Sequence, residues 1–250
     1  MSGDERTLPP GPVAPAGDDV FPLLEGGNLR LLGLLPRSSN YTFLARVSDG
    51  SREALTVYKP QTGEAPLWDF PDGSLCRREV AAYLVSAELG WPRVPPTVLR
   101  DGPEGPGSVQ LFLEFDPQEH YFTLAERMPD EFRKVALFDA VVNNADRKAG
   151  HCLLATDGGL FVVDHGVCFH ETPKLRTVIW DFAGQPIPDE LVDDLVALDA
   201  DLRGDGLGAS LDSLLSPGEL EAMHARLGRL VRAERFPEPG SGRPYPWPPV

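Results

Sequence analysis

The first half of the chain alternates short apolar runs with polar turns. The runs NLRLLGLL, YTFLARV and EALTVYK are joined by a Pro-Arg-Ser-Ser-Asn segment and by the turn SDGS, which predicts a three-stranded antiparallel meander. The runs PTVLR and SVQLFLEF flank DGPEGPG, which predicts a hairpin with a Gly/Pro-rich loop. Between them, apolar residues recur at helical spacing from Cys76 to Leu89, and Gly90 and Pro92 supply a stop. This half therefore predicts five strands and one helix.

The second half has mostly helical periodicity. The stretch PDEFRKVALFDAVVNN predicts a helix that leads into the polar loop NADRKAGH. CLLAT, DGG and LFVVD predict a short hairpin, and amphipathic stretches at about 187–202 and 216–235 predict two further helices. The fold class predicted from this order is α+β, with strands first and helices afterwards.

The same patterns divide the chain into four segments. Both ends of the chain, 1–18 and 236–250, are rich in proline. The first has hardly any large apolar residue and the second has no regular apolar spacing, so we expect flexible or extended tails there. We expect an N-terminal lobe at 19–115 and a C-terminal lobe at 116–235.

Composition and charge narrow the classes of partner. The chain has 23 Lys plus Arg against 38 Asp plus Glu, a formal net charge of −15, which disfavours binding to nucleic acid or to an anionic membrane. The three cysteines show no C-x-x-C spacing, which favours reduced thiols over a zinc site. The N-terminal segment does not have the pattern of a signal peptide, and no apolar stretch of about 18 residues occurs. We expect a cytoplasmic protein without stable membrane insertion.

Two aspartates are the first candidates for chemistry. Asp146 lies in the polar loop between an apolar helix and an apolar hairpin, and Asp164 ends that hairpin. Phosphoryl transfer needs one carboxylate to orient or deprotonate the attacking hydroxyl and another to hold Mg²⁺. The alternative is that Asp146 is only a turn residue and Asp164 only a strand-end cap.

Lys59 and Glu79 form a second candidate group. Lys59 is one of four lysines beside 19 arginines and ends an apolar strand, where a cation needs an anionic partner. Glu79 on the following helix is suited to that role, although an ordinary solvent-facing ion pair stays open as the alternative. The segment 36–40 offers hydroxyl and amide donors for phosphates, and no Rossmann or Walker motif occurs in the chain.

The motifs resemble those of a known family. N-x-D-R at 144–147, a polar residue five positions after the Asp, a hairpin, and D-x-G at 164–166 resemble the catalytic and metal loops of phosphatidylinositol 3-/4-kinases. Upstream, Lys59, the helix EVAAYLVSAELG and the extended LFLEF follow in the order of the ATP lysine, first helix and hinge of such kinases. The likeness covers roughly 28–170 and extends to an uncharacterised actinobacterial group with remote similarity to these kinases. It implies a two-lobed protein-kinase-like fold.

The resemblance also implies roles for particular residues, with ATP and Mg²⁺ or Mn²⁺ as cofactors. Asp146 and Arg147 would be catalytic, Asp164 and His151 would lie at the metal, and Lys59 would bind phosphate with Glu79 as its partner. The remaining positions would contact ATP: Phe115 at the adenine, and Ser38, Ser39 and Asn40 near the phosphates.

His151 departs from the family pattern, which has a metal-binding Asn at this position. Imidazole is a poorer ligand for Mg²⁺ than oxygen is, although it is acceptable to Mn²⁺. Either the second metal differs, or Asn143 or Asn144 substitutes, or His151 contacts a phosphate, or the site is degraded.

The function predicted is ATP-dependent phosphotransfer to a hydroxyl acceptor. We favour a protein or small soluble acceptor over a lipid, because the net charge and the lack of a basic amphipathic stretch disfavour docking on an anionic membrane. Two alternatives stay open: a nucleotide-binding scaffold without turnover, and transfer of AMP by a kinase-like fold.

Overall fold

The computed structural model of the chain describes residues 20–36 and 40–250. The first part contains α1 (Phe21–Gly26), β1 (Asn28–Leu34), β2 (Phe43–Ser48), β3 (Glu53–Pro60), α2 (Leu75–Leu89), β4 (Thr97–Gly102) and β5 (Gly105–Leu111). The second contains α3 (Tyr121–Leu124), α4 (Pro129–Val142), β6 (Cys152–Leu154), β7 (Leu160–Val162), α5 (Asp189–Asp201), α6 (Leu207–Asp212) and α7 (Pro217–Ala233). None of the helices in these described ranges has the length and apolar character needed to cross a membrane.

The chain divides into two compact units. Among the described residues, the first comprises 20–36, 40–65 and Pro96–Leu113, and the second comprises Pro66–Pro95 and Glu114–Val250. The helix α2 therefore belongs to the second unit, although it lies between strands of the first unit in sequence.

The first unit is an antiparallel sheet with the strand order β1-β2-β3-β5-β4. Alternate residues of β3 are buried, as expected for a strand that turns one face towards the core. The buried face includes Ala54 and Tyr58, which join one apolar cluster with residues of α1 and the neighbouring strands. Arg100 fixes α1 to β4 by donating from Nη1 to the carbonyl oxygens of Leu24 and Gly27, both at 2.8 Å.

The second unit is built around helices and one short hairpin. Its apolar core joins α2, α4, α5 and α7 with the strands β6 and β7. The helix α7 begins at Pro217 because Ser216 and Glu219 form a capping box, in which the Ser216 hydroxyl accepts from the Glu219 N–H at 3.2 Å. The helix α2 ends at Gly90, whose φ of 73° is in the left-handed region that favours glycine.

The predicted α+β fold class, the five strands, the hairpin β6–β7 and the four longer helices are confirmed. The hairpin predicted around DGPEGPG is present, and β4 and β5 extend into this segment, which leaves a tight turn before Gly105, whose φ is 95°. The short helices α1, α3 and α6 were not predicted.

The Pro-rich segment 236–250 contains neither helix nor strand, and it is fastened to the second unit. Phe236 is buried and exchanges backbone hydrogen bonds with Gly184 and Gln185. The carbonyl oxygen of Pro244 accepts from the N–H of Thr177 at 3.0 Å, and that of Pro249 accepts from the N–H of Ala149 at 2.8 Å. The last residues of the chain therefore contact the loop that carries Asp146.

Candidate active site

The loop that carries Asp146 is held by two consecutive asparagines after α4. Asn143 ends the helix in the left-handed conformation, and its side-chain amide donates to the carbonyl oxygens of His170 and Thr172, both at 2.8 Å. The Asn144 side chain is fully buried and accepts from the N–H of Asp146 at 2.9 Å. These bonds fix the backbone on both sides of the turn that presents the Asp146 carboxylate.

A buried ion pair lies beneath this loop. The side chains of Arg147 and Asp139 are both 0% exposed, and they meet through Nε at 3.0 Å from Oδ2 and Nη2 at 2.9 Å from Oδ1. The Nη1 of Arg147 donates to the carbonyl oxygen of Val163 at 2.8 Å, and its Nη2 lies 2.7 Å from Nε2 of His165. Burial is the largest single effect and would lower the pKa of Arg147, but the charge and the hydrogen bonds of Asp139, together with the other nearby groups, outweigh it and raise the pKa, so the guanidinium stays charged. Arg147 therefore ties the loop to α4 and to the hairpin.

Asp146 is paired with a neighbour. Lys148 Nζ donates to Oδ2 of Asp146 at 2.7 Å, and the two side chains are 22% and 32% exposed. Burial is the largest effect on the Asp146 carboxyl and raises its pKa, Lys148 opposes it, Asp164 adds to it, and Arg176 opposes it more weakly. The net result is a pKa above the ordinary value, which suits a group that accepts a proton near neutral pH.

The raised pKa also has a consequence for folding. Because the folded chain holds the Asp146 proton more tightly than the unfolded chain, the contribution of this carboxyl to stability falls as the pH rises from the ordinary value through the raised one. A carboxylate that lowers stability at neutral pH is typical of a functional site rather than of a structural cap.

Asp164 follows the hairpin β6–β7 and has a φ of 63°, a conformation that is uncommon for a residue other than glycine. Its side chain is 50% exposed, and its Oδ2 lies 3.3 Å from Nε2 of His151, which is 15% exposed. Since the charge of Asp164 acts on Asp146, the structure brings the two predicted carboxylates into one electrostatic neighbourhood. His151, which was predicted at the metal, lies on the Asp164 side of this group.

Glu79 lies at the same D-x-G segment. Its side chain is 2% exposed on α2, and its Oε2 accepts from the N–H of His165 at 3.0 Å. Lys59, its predicted partner, is half-buried in β3 opposite Ser108 and belongs to the other unit. The pairing of Lys59 with Glu79 stays a prediction.

The other predicted ATP contacts are placed as follows. Phe115 is half-buried and forms an isolated antiparallel bridge with Ala155, next to the hairpin. Asn40 accepts from the N–H of Ala65 at 2.8 Å through its side-chain oxygen. Ser38 and Ser39 lie outside the described residues.

The donor set favours a hard divalent cation held mainly by oxygen. Within residues 20–36 and 40–250, no three His, Cys, Asp or Glu side chains are close enough together to hold a metal ion by themselves. Two mutually repelling carboxylates near one another nevertheless fit Mg²⁺ or Mn²⁺, because such ions keep several waters and take phosphate oxygens as ligands. The residues present therefore fit a metal that arrives with a nucleotide.

Sequence reasoning missed two contributors. Lys148 stands two positions after Asp146, and the scarcity of lysine in the chain was a signal that could have identified it. Asp139 lies within the apolar stretch of α4, where an isolated acidic residue requires a buried partner. Its partner Arg147 was noted only for its place in the motif.

Comparison with known proteins gives concordant results. The sequence model of the family described as phosphatidylinositol 3- and 4-kinase matches residues 78–206. Protein Rv2133c of Mycobacterium tuberculosis is 39% identical over 266 residues, which cover 92% of this chain and 95% of that protein. Phosphatidylinositol 4-kinase gamma 4 of Oryza sativa subsp. japonica is 32% identical over 146 residues, which cover 50% of this chain but only 26% of the plant protein.

A solved structure shows the same fold. The Helicobacter pylori proinflammatory kinase CtkA matches with a TM-score of 0.54 and 12% sequence identity, covering 85% of this chain and 94% of that one. At this level of identity the likeness concerns the fold alone, and it confirms the predicted kinase-like architecture.

Proposed function

We propose that this chain, which belongs to the phosphatidylinositol 3- and 4-kinase family as its motifs predict, transfers the γ-phosphate of ATP to a hydroxyl group of a protein or a small soluble molecule. The family and the fold are those of kinase-like phosphotransferases. The observation that carries the finer proposal is the Asp146 carboxylate: it is held on a buried, hydrogen-bonded loop, it is paired with Lys148, and its pKa is raised.

In the proposed reaction, the acceptor oxygen attacks the γ-phosphorus while the bond from that phosphorus to the β,γ-bridging oxygen breaks and ADP leaves. Asp146 orients the acceptor hydroxyl and takes its proton, a task that its raised pKa favours. Lys148 holds the carboxylate in place through its bond to Oδ2. Arg147, which is wholly buried, acts as a positioning residue by fixing the loop.

Asp164 would hold Mg²⁺ or Mn²⁺, with His151 at the same metal beside it. When bound, the metal neutralises the negative charge of the phosphate groups. Lys59 is proposed to bind phosphate with Glu79 as its partner. In the same proposal, Phe115 contacts the adenine, and Ser38, Ser39 and Asn40 lie near the phosphates.

Nucleotide binding is tested first by thermal unfolding with ATP and either Mg²⁺ or Mn²⁺. A ligand at one hundred times its Kd raises the free energy of unfolding by about 2.7 kcal/mol. We expect a rise in Tm that requires a divalent ion and is absent in Lys59→Ala. The half-buried Lys134, which pairs with Glu131 on α4, provides the matched control Lys134→Ala. The absence of any shift with either ion in folded protein contradicts the proposal.

Turnover is tested by following transfer of the labelled γ-phosphate. Asp146→Asn should bind ATP but lose about 10²- to 10⁴-fold in rate, the usual contribution of a general base. Asp205→Asn, at an exposed position before α6, is the control and should keep the rate of the wild type. Equal rates in the two variants would exclude Asp146 as the catalytic base.

One observation favours a second candidate function, nucleotide binding without turnover. The imidazole of His151 lies 3.3 Å from the Asp164 carboxylate, which is the group assigned to the metal. If His151 is protonated, it forms an ion pair with that carboxylate and competes with a cation for it. An ATP-dependent rise in Tm without phosphate transfer, over a range of divalent ions and pH, would support this candidate against the first.

A further inference from the structure

A cleft of about 510 Å³ lies wholly within the second unit, between α7, the segment 172–176 and the C-terminal segment. Of the residues considered for binding ATP or metal, Asn143 alone lines it, and its side chain is already bonded to the backbone of His170, Thr172 and Lys174. Its volume is within the range of small-molecule sites, about 300–1,000 Å³. The cleft is therefore a candidate for a separate ligand.

The charge of this cleft is opposite to that of the chain. Six cationic side chains line it: Lys174, Arg176, Arg226, Arg229, Arg235 and Arg243. Glu238 is the one carboxylate among the lining residues. In a chain with a net charge of −15, this concentrates six of the 23 basic residues around one cavity. Such a concentration attracts an anion.

Arg226 is the least exposed of these cations, at 7%. Its Nε donates to the carbonyl oxygen of Val141 at 3.0 Å, and its Nη1 donates to that of His170 at 3.3 Å. Among the atoms of the described residues, its buried Nη2 has no hydrogen-bond partner. An unsatisfied buried donor on a charged group costs stability, which a ligand that accepts from it would recover.

The charges around Arg226 also favour the binding of an anion. Burial, followed by the proximity of Arg229, lowers the pKa of Arg226 to about 10. Lys174 is neutralised by Asp69 at 2.5 Å, whereas the ion pairs found in the described part of the chain include none for the five arginines of the cleft. The positive charge of the cleft is thus carried by guanidinium groups.

The rest of the wall is apolar. Leu175, Trp180, Leu230 and Pro237 line the cleft beside the arginines. An inorganic anion would leave this surface without a partner, whereas an organic ligand with one anionic end would cover it. Guanidinium groups match the oxygens of a phosphate group in geometry and charge.

We propose that this cleft binds a small phosphate ester whose organic part is apolar. The phosphate accepts from Nη2 of Arg226 and lies among the exposed arginines Arg229 and Arg243, and the organic part packs on Trp180 and Leu230. This site is additional to the proposed ATP site and does not depend on phosphotransfer.

The proposal is tested by calorimetric titration of the full chain with phenyl phosphate, inorganic phosphate and phenol at constant ionic strength. We expect phenyl phosphate to bind more tightly than inorganic phosphate, and phenol not to bind. Arg226→Gln should weaken binding about tenfold or more, since it removes the charged donor. Because the buried substitution is liable to unfold the chain, Arg229→Gln provides a second variant at an exposed position of the same helix.

Arg232→Gln is the matched control, because Arg232 is exposed on α7 but does not line the cleft. It should bind phenyl phosphate as the wild type does. Equal weakening in Arg232→Gln and Arg229→Gln would indicate diffuse attraction and overturn the proposal, as would the absence of phenyl phosphate binding at millimolar concentrations. A phosphoserine peptide that binds more tightly than phenyl phosphate, with the same dependence on Arg229, would assign the cleft to a phosphorylated protein segment instead.

Discussion

The buried pair of Asp139 and Arg147 leads to a quantitative prediction. Asp139→Asn keeps the shape of the side chain but removes its charge, and the Arg147 guanidinium then lies fully buried without a counter-ion. Removing one partner of a buried pair costs about 3–5 kcal/mol of stability. For a chain of this size each kcal/mol lowers Tm by roughly 2–4 °C, so we expect a decrease of roughly 6–20 °C.

Chemical denaturation followed by circular dichroism measures this loss directly. Asp130→Asn is the control, since Asp130 also pairs with an arginine, Arg133 at 2.6 Å, on the same helix, but its side chain is 83% exposed. An exposed pair contributes at most about 1 kcal/mol. If Asp139→Asn costs no more stability than the control does, the buried pair does not hold the loop.

A double substitution measures the coupling between Asp139 and Arg147. Asp139→Leu with Arg147→Met removes both charges, and its cost should be well below the sum of the two single costs, because neither charge is then left buried alone. The phosphotransfer rate of the folded double variant should still fall, since the bonds from Arg147 to Val163 and His165 are lost. Additive costs for the two substitutions would refute the coupling.

Three further predictions concern the same loop. Lys148→Met removes a charge that lowers the pKa of Asp146, so the acidic limb of the pH–rate profile should move to higher pH, and an unchanged limb would contradict the assignment of that limb to Asp146. His151→Asn replaces an imidazole with an oxygen donor, so the rate with Mg²⁺ should rise relative to the rate with Mn²⁺, as steady-state assays with each ion would measure. Truncation before Pro244 removes the acceptor of the Ala149 N–H, so Tm should decrease, and an unchanged Tm would mean that the tail does not support the loop.

The sequence predicted those parts of the fold that follow from local periodicity. The five strands of the sheet and the four longer helices are long enough to repeat their apolar pattern, so the pattern identifies them. The helices α1, α3 and α6 contain only four to six residues, and none of them completes two turns. Periodicity alone does not identify elements of that length.

In the candidate site too, some residues could be predicted from the sequence and others could not. Asp146 and Asp164 were predicted from a polar loop and a strand end flanked by apolar runs, and the structure brings their charges together. Burial of a charged side chain depends on partners that are distant in sequence. Arg78, for example, is 1% exposed and pairs with Glu219 of α7. The helix pattern of α7 likewise gives no sign that Arg226 is buried, because arginine is a polar residue in any such pattern.

The positions of the positive charges connect these observations. A chain with a net charge of −15 repels phosphate groups on average, so any phosphate ligand must be bound where cations are concentrated. In the second unit the cations divide into two kinds: Arg147 is neutralised by Asp139 and fixes the backbone, whereas Arg226 and its neighbours line a cleft without a matching set of carboxylates. The neutralised arginine helps to hold the loop of Asp146, together with Asn143, Asn144 and the bond from Ala149 to Pro249. Arg226 and Arg235 also donate to backbone carbonyl oxygens, but the ion pairs found in the described part of the chain include none for the five arginines of the cleft, and an anionic ligand accounts for their concentration at one place.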